Sequence, residues 1–199
     1  KVKTSLFCLD INPFACYLAE TNLLIQVIDL LKQVKEIGNL RECTINRFQV
    51  YNTDSLLLPQ TENIRSALLN PLLDLELTTV SEIKTRTGKF TNGFDFVVGN
   101  PPYVRAEEPD QLIYRKTIVA QDRFATLHKK WDLFIPFIEM SKRLLKSETG
   151  RLGIITSNAY ENAPYAEKSR EMLCQGMTFL QIDFFENVRL FSDAAVNNV

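Results

Sequence analysis

Three stretches of this chain share one pattern: a short apolar run that ends in a polar side chain. "SLFCLD" closes on Asp10, "FQVYNTD" on Asp54 and "FDFVVGN" on Asn100. Near-continuous apolar runs suit strands covered on both faces, as in parallel sheets, better than strands with one wet face. Helical patterns separate them. In "NPFACYLAETNLLIQVIDLLKQV", Asn12 can cap and Pro13 suits the first turn, while Ala15, Leu18, Ala19, Leu23, Val27 and Leu30 keep helical spacing. "WDLFIPFIEMSKRLLKS" is a second amphipathic helix, with Leu133, Phe137, Ile138, Leu144 and Leu145 on one side and Pro136 forcing a kink or a late start. "GRLGIITSN" reads as a fourth strand, "PYAEKSREMLCQG" as a helix ending at Gly176, and "FLQIDFFENV" as a fifth strand. A sixth strand is expected to start in "RLFSDAAVNNV", and residues 59–92 are read as an irregular stretch with one or two short helices. Strand and helix in alternation predict an α/β fold with a mostly parallel sheet and helices on both faces.

With 199 residues and 45% hydrophobic side chains, one substantial core and one domain are expected. A net charge of −1 excludes nucleic-acid binding by bulk charge, so any such contact must rest on a local patch. Cys8, Cys16, Cys43 and Cys174 form no CxxC pair and His128 stands near none of them. No zinc site is expected, and scattered thiols suit a reducing, cytoplasmic setting. No apolar run approaches the length of a membrane span.

In doubly wound sheets ligands bind beyond the carboxyl ends of the strands. Asp10 there either accepts both hydroxyls of a ribose or serves the dipole of the helix that follows. Asp54 either accepts from an adenine amino group or caps the turn at "SLLL". Asn100 is more specific, because Pro101, Pro102 and Tyr103 follow it. Proline pushes the residue before it to extended conformations, and two prolines remove two N–H donors. The result is a stiff loop offering acceptors only, the Asn100 amide oxygen and the Pro101 carbonyl, with the flat Tyr103 ring beside them. A planar amine with two N–H bonds matches that pair. An aromatic amine is a poor nucleophile because its lone pair is delocalised. Acceptors on its hydrogens favour tetrahedral nitrogen and stabilise the charge that grows as it attacks a methyl group held in line.

On these residues the chain resembles the S-adenosylmethionine-dependent adenine-N6 DNA methyltransferases that carry an NPPY motif. Its motif order is similar to their gamma class, and within it to the large restriction–modification and phage-exclusion enzymes. "LDINPFACYLAETNLLI" resembles the family's second motif, "YNTDSLLL" its third and "DFVVGNPPYV" its fourth. "DLFIPFIEMSKRLLKSETGRLGIITSNAY" resembles the fifth and sixth, and "RLFSDAAVNNV" the eighth. The resemblance implies a Rossmann-like methyltransferase fold. It implies a cofactor set of Asp10, Ile11, Asp54, Ser55 and Asn100, with Asp10 on the ribose, Ile11 on the adenine, and Asp54 with Ser55 at the adenine amino group. It implies a catalytic set of Asn100, Pro101, Pro102 and Tyr103, and a flipped target adenine stacked on Tyr103 with Phe191 on its other side. The family's glycine-rich first motif is expected just before Lys1 and its target-recognition domain beyond Val199. Residues 1–199 are therefore expected to be a partial catalytic domain with an insertion at about 59–92, and to bind the cofactor weakly alone.

Residues 104–131 are expected to face double-stranded DNA. Arg105, Arg115, Lys116, Arg123, Lys129 and Lys130 gather there among Tyr114, Phe124 and Trp131, although Glu107, Glu108, Asp110 and Asp122 dilute the charge. A nuclease or specificity domain is an expected neighbour in the same parent chain. Two alternatives stay open. NPPY also serves methyltransferases of RNA and of protein glutamine, and a scaffold or DNA-docking piece without activity is the other alternative, against which the intact Asn100–Tyr103 tetrapeptide argues.

Overall fold

A computed structural model describes residues 5–36, 48–57, 64–66, 77–78, 93–105 and 108–185. The chain divides into two compact units, Lys1–Thr91 and Asn92–Val199.

In the first unit β1 spans Phe7–Asp10, α1 Pro13–Glu36 and β2 Gln49–Asn52, followed by a 3-10 turn at Ser55–Leu57. The sequence dictates where α1 begins. The Asn12 side chain accepts from the N–H groups of Phe14 (2.9 Å) and Ala15 (3.4 Å), and Pro13 takes a first-turn position that needs no donor. The buried stripe of α1 is Cys16, Glu20 and Val27, with Leu23 partly buried, while Leu18 stays 45% exposed. The inner face is thus rotated slightly from the one the apolar spacing suggested, because the small Cys16 packs against the strands. Cys16 and Val27 join Phe48 and Val50 in the core, with Cys8, Ala19, Leu23 and Leu24 around them. β1 and β2 are parallel, in register from Phe7 opposite Gln49 to Asp10 opposite Asn52. Two further strands, β3 (Ile64–Ser66) and β4 (Leu77–Thr78), extend the sheet antiparallel in the order β1-β2-β3-β4. The described parts of 59–92 are therefore strands rather than short helices. Unpaired backbone beside the β2 edge is satisfied most readily by another ladder.

In the second unit the elements are β5 (Phe96–Gly99), α2 (Leu112–Ala120), α3 (Phe134–Leu144), β6 (Arg151–Ile154), α4 (Ala159–Asn162) and α5 (Glu167–Gly176). β5 and β6 are parallel, from Phe96 opposite Arg151 to Gly99 opposite Ile154. α3 packs on both strands and against α5, burying Phe134, Ile135, Pro136, Ile138 and Met140. Pro136 sits in the first turn, so the helix starts late and loses no hydrogen bond. Entry into β5 depends on Gly93, whose φ is +77°. A Cβ there would lie 2.5 Å from the backbone of Leu145. That approach lets Phe94 donate to Leu144 (2.7 Å) and accept from Lys146 (2.9 Å).

"FLQIDFFENV" differs from expectation. Its described residues, 179–185, form no strand, and Phe179, Leu180, Ile182 and Phe184 are exposed. A β-prone run becomes a strand only when a partner ladder is present. The rest of that run and the sixth strand lie outside the described residues. No described helix is long and apolar enough to cross a membrane.

Candidate active site

The two acids of the first unit lie at the carboxyl ends of its parallel pair. Asp10 ends β1, and Thr53, the residue before Asp54, donates its N–H to the Asp10 carbonyl (2.9 Å). Each carboxylate shapes the chain that follows it. Asp10 Oδ1 accepts from Asn12 N–H (2.7 Å), and Asp54 Oδ1 accepts from Leu56 N–H (2.9 Å). These are Asx-type turns, in which a short acid replaces a backbone acceptor. Asp10 is exposed, Asp54 and Ser55 are partly buried, and Ile11 presents 67% of its apolar surface to solvent. Asn52 ties this end together, donating to the carbonyls of Asp10 (3.1 Å) and Ile11 (2.9 Å). Behind them the Cys16 thiol contacts the carbonyls of Asp10 and Tyr51, and burial with the nearby Asp10 charge pushes it up to about 11.

The Asn100–Tyr103 tetrapeptide leaves β5 at its carboxyl end, where Ile155 N–H still holds the Gly99 carbonyl (3.1 Å). Pro101 is buried, Asn100 and Pro102 are exposed, and Tyr103 is partly buried. The Tyr103 hydroxyl donates to Asn100 Oδ1 at 2.8 Å. The amide oxygen is thus a working acceptor, engaged here by the neighbouring phenol. The Tyr103 ring meets Phe134 edge-on at 6.5 Å and 61°. Phe134 is fully buried and also meets Tyr160 (6.0 Å) and Tyr165 (6.2 Å) edge-on. The Tyr165 hydroxyl donates to Asp132 (2.5 Å); burial and that carboxylate push it well above the usual phenol range. Burial also raises Tyr103.

The stretch after the tetrapeptide is not a loose basic strand. Arg105, Lys116, Lys129 and Lys130 are exposed and Arg123 is partly buried. Arg115 is buried, its guanidinium 4.0 Å above the Trp131 ring, with Asp132 as the charge that counters burial. Residues 123–126 are held from α3. Glu139, 3% exposed, accepts from the N–H groups of Ala125 (3.1 Å) and Thr126 (2.9 Å) and from the Thr126 hydroxyl (2.6 Å). Arg143 pairs with Glu139 and donates to the Arg123 carbonyl.

The N-terminal acids and the tetrapeptide are placed where the strand ends predicted, each within its own unit. Phe191 lies outside the described residues. Sequence reading missed Asn52, Asp132, Glu139 and the two further tyrosines around Phe134, Tyr160 and Tyr165. Only Glu139 left a trace, as a charge at a position on the apolar face of α3.

The chain is similar to known proteins over most of its length. Residues 4–191 match the family described as Eco57I restriction-modification methylase. The type II methyltransferase M.BstVI of Geobacillus stearothermophilus is 48% identical over 83 residues, 40% of this chain and 14% of that enzyme. M.XhoI of Xanthomonas vasicola is 42% identical over 83 residues, 41% of this chain and 14% of its own length. The type II restriction enzyme and methyltransferase RM.Eco57I of Escherichia coli is 29% identical over 100 residues, 50% of this chain and 10% of its length. The aligned stretches thus span 14% or less of these relatives. A family match that runs over nearly the whole chain, together with the tetrapeptide at a parallel strand end, leaves one conclusion: the chain belongs to the Eco57I restriction-modification methylase family.

Proposed function

We propose that this chain carries the amine-binding and cofactor-binding residues of a DNA methyltransferase acting on the N6 amine of adenine. The observation that supports it most is Asn100: an exposed amide oxygen at the carboxyl end of β5, already accepting one hydrogen bond. In this reading the target amine replaces the Tyr103 hydroxyl. Asn100 Oδ1 and the Pro101 carbonyl accept its two hydrogens, and its nitrogen lone pair localises. The growing positive charge faces two fixed acceptors rather than water. The freed Tyr103 ring, backed by Phe134, stacks on the flipped base.

S-adenosylmethionine supplies the electrophilic methyl group when bound. The first unit's residues fit it. Asp10 offers an exposed carboxylate at the end of β1, Ile11 an exposed apolar surface, and Asp54 with Ser55 a polar corner at the end of β2. In a Rossmann-like sheet those ends receive ribose and adenine. DNA lies along residues 104–131, and the relative RM.Eco57I, named as both restriction enzyme and methyltransferase, supports a parent with further domains.

The test compares wild-type and Asn100→Ala protein with labelled S-adenosylmethionine and mixed-sequence duplex DNA, followed by nucleoside analysis. Asn100→Ala is expected to cut transfer by roughly two orders of magnitude, the loss of one preorganised acceptor, with cofactor affinity changed far less. Label in N4-methylcytosine, RNA or protein, or equal losses in binding and turnover, would overturn the reading.

A further inference from the structure

Residues 118–131 enclose a cleft of about 270 Å³ in the second unit, apart from the strand-end tetrapeptide in sequence. Its wall carries Arg123, His128 and Lys129 beside the rings of Phe124 and Trp131, with Asp122 as the opposing charge. Two features show that it is built rather than incidental. Asp122 (φ 48°) and Lys129 (φ 54°) both line it, and both hold the left-handed backbone that side-chain-bearing residues avoid. Such positions persist only when their surroundings over-determine them. The surroundings here are Glu139 and Arg143, which fix the chain at Arg123, Ala125 and Thr126. The cations are also unspent. Arg123 donates to the neutral Gln121 amide (3.2 Å) and has no ion-pair partner among the described residues. Lys129 has neither a hydrogen bond nor an ion pair among them. Arg143 stands with Arg123 around Phe124, their guanidinium carbons 5.5 and 5.7 Å from its ring. Glu139 balances Arg143, so Arg123 and Lys129 against the one carboxylate of Asp122 leave a local excess that one anion relieves.

We propose that this cleft is a phosphate site for the DNA backbone, with Arg123 and Lys129 on the anion, Trp131 as its apolar wall, and Glu139 as the residue that positions the loop. The proposal rests on the reading that the chain acts on DNA and names where one backbone phosphate is held. A phosphate suits the two cations of the wall, since Arg offers a planar fork and Lys a point charge.

Trp131 is the chain's single tryptophan and lines this cleft, so its emission responds to what enters there. The experiment titrates the chain with duplex DNA, duplex RNA of the same sequence, and inorganic phosphate at several salt concentrations. Duplex DNA is expected to change Trp131 emission saturably. Arg123→Gln and Lys129→Gln should each weaken binding about tenfold and lower the log–log salt slope by about one, the signature of one lost phosphate contact. Lys32→Gln, which removes a surface cation of the first unit, should leave both unchanged. Emission unmoved by DNA, variants that bind like wild type, or a response to RNA or free phosphate at the same phosphate concentration as DNA would each overturn the proposal. Methyl-transfer assays read the base pocket and this titration reads the cleft, so either reading can fail without the other.

Discussion

The two units hold their candidate side chains in different ways. In the first, Asp10 and Asp54 are fixed by neighbours two residues on, through turns that their own carboxylates form. In the second, Tyr103 leans on Phe134, Tyr165 bonds Asp132, and Glu139 holds residues 125 and 126, all across long sequence separations. Local scaffolding costs little to change, and Asp10 stays exposed while its Oδ1 makes the turn. Long-range scaffolding spreads the stability of the unit over its site. The second unit should therefore lose stability when its supports are altered, and the first should lose binding.

The largest expected effect is at Glu139. Glu139→Ala removes a buried acceptor of three hydrogen bonds and the partner of Arg143. Arg143 is half-exposed, so the main loss is the buried acceptor: leaving the buried Thr126 donors unpaired typically costs about 1–3 kcal/mol. Denaturant titration of the variant should show that loss, and a cost below about 1 kcal/mol would mean that the loop does not depend on the clamp.

Next is Gly93. Gly93→Ala places a methyl 2.5 Å from the Leu145 backbone at a φ of +77°. Left-handed strain alone costs about 1–2 kcal/mol, and the clash cannot be relieved by a side-chain rotation. A lowered midpoint with an unchanged denaturant slope is the expected result. An unchanged midpoint would show that β5 enters its sheet by another route.

These two positions mark the limit of what the sequence discloses. The strand ends were legible because a short apolar run followed by a polar residue is a local pattern, and so was the start of α1 at Asn12–Pro13. Pro-Pro after Asn100 was legible because proline restricts its own neighbours. Glu139 was not, because a glutamate on an apolar helix face becomes a clamp only when residues 125 and 126 fold back over it. Arg115 read as a DNA-facing cation, yet it is buried against Trp131. The pairing of 64–66 with β2, and of 77–78 with 64–66, escaped for a related reason. Strands that short carry almost no periodicity, and their partner sets their form.

A smaller effect is expected at Tyr165. Its phenol donates to Asp132, and burial with that charge raises its folded pKa above the unfolded value of about 10. The neutral form is therefore favoured by folding. Its contribution is fully present below the unfolded pKa and is lost as pH rises toward the folded pKa. Tyr165→Phe should cost about 1 kcal/mol near neutral pH and flatten the loss of stability above about pH 10. An identical alkaline slope in wild type and variant would show that Tyr165 is not the group responsible.

The smallest stability effect separates the units most sharply. Asp10→Asn keeps an oxygen where Oδ1 accepts from Asn12 N–H, so the turn into α1 survives. Asp10 is exposed, so no buried charge is lost. Stability should change by less than about 0.5 kcal/mol. The amide replaces one acceptor oxygen with a donor, and a ribose diol needs two acceptors. If Asp10 holds that diol, affinity for S-adenosylmethionine should fall about tenfold, the worth of one charge-assisted hydrogen bond. Calorimetric titration and denaturant melting on the same preparation read the two quantities together. A variant that melts early but binds like wild type would make Asp10 a turn-forming residue only, and the contrast between the units would vanish.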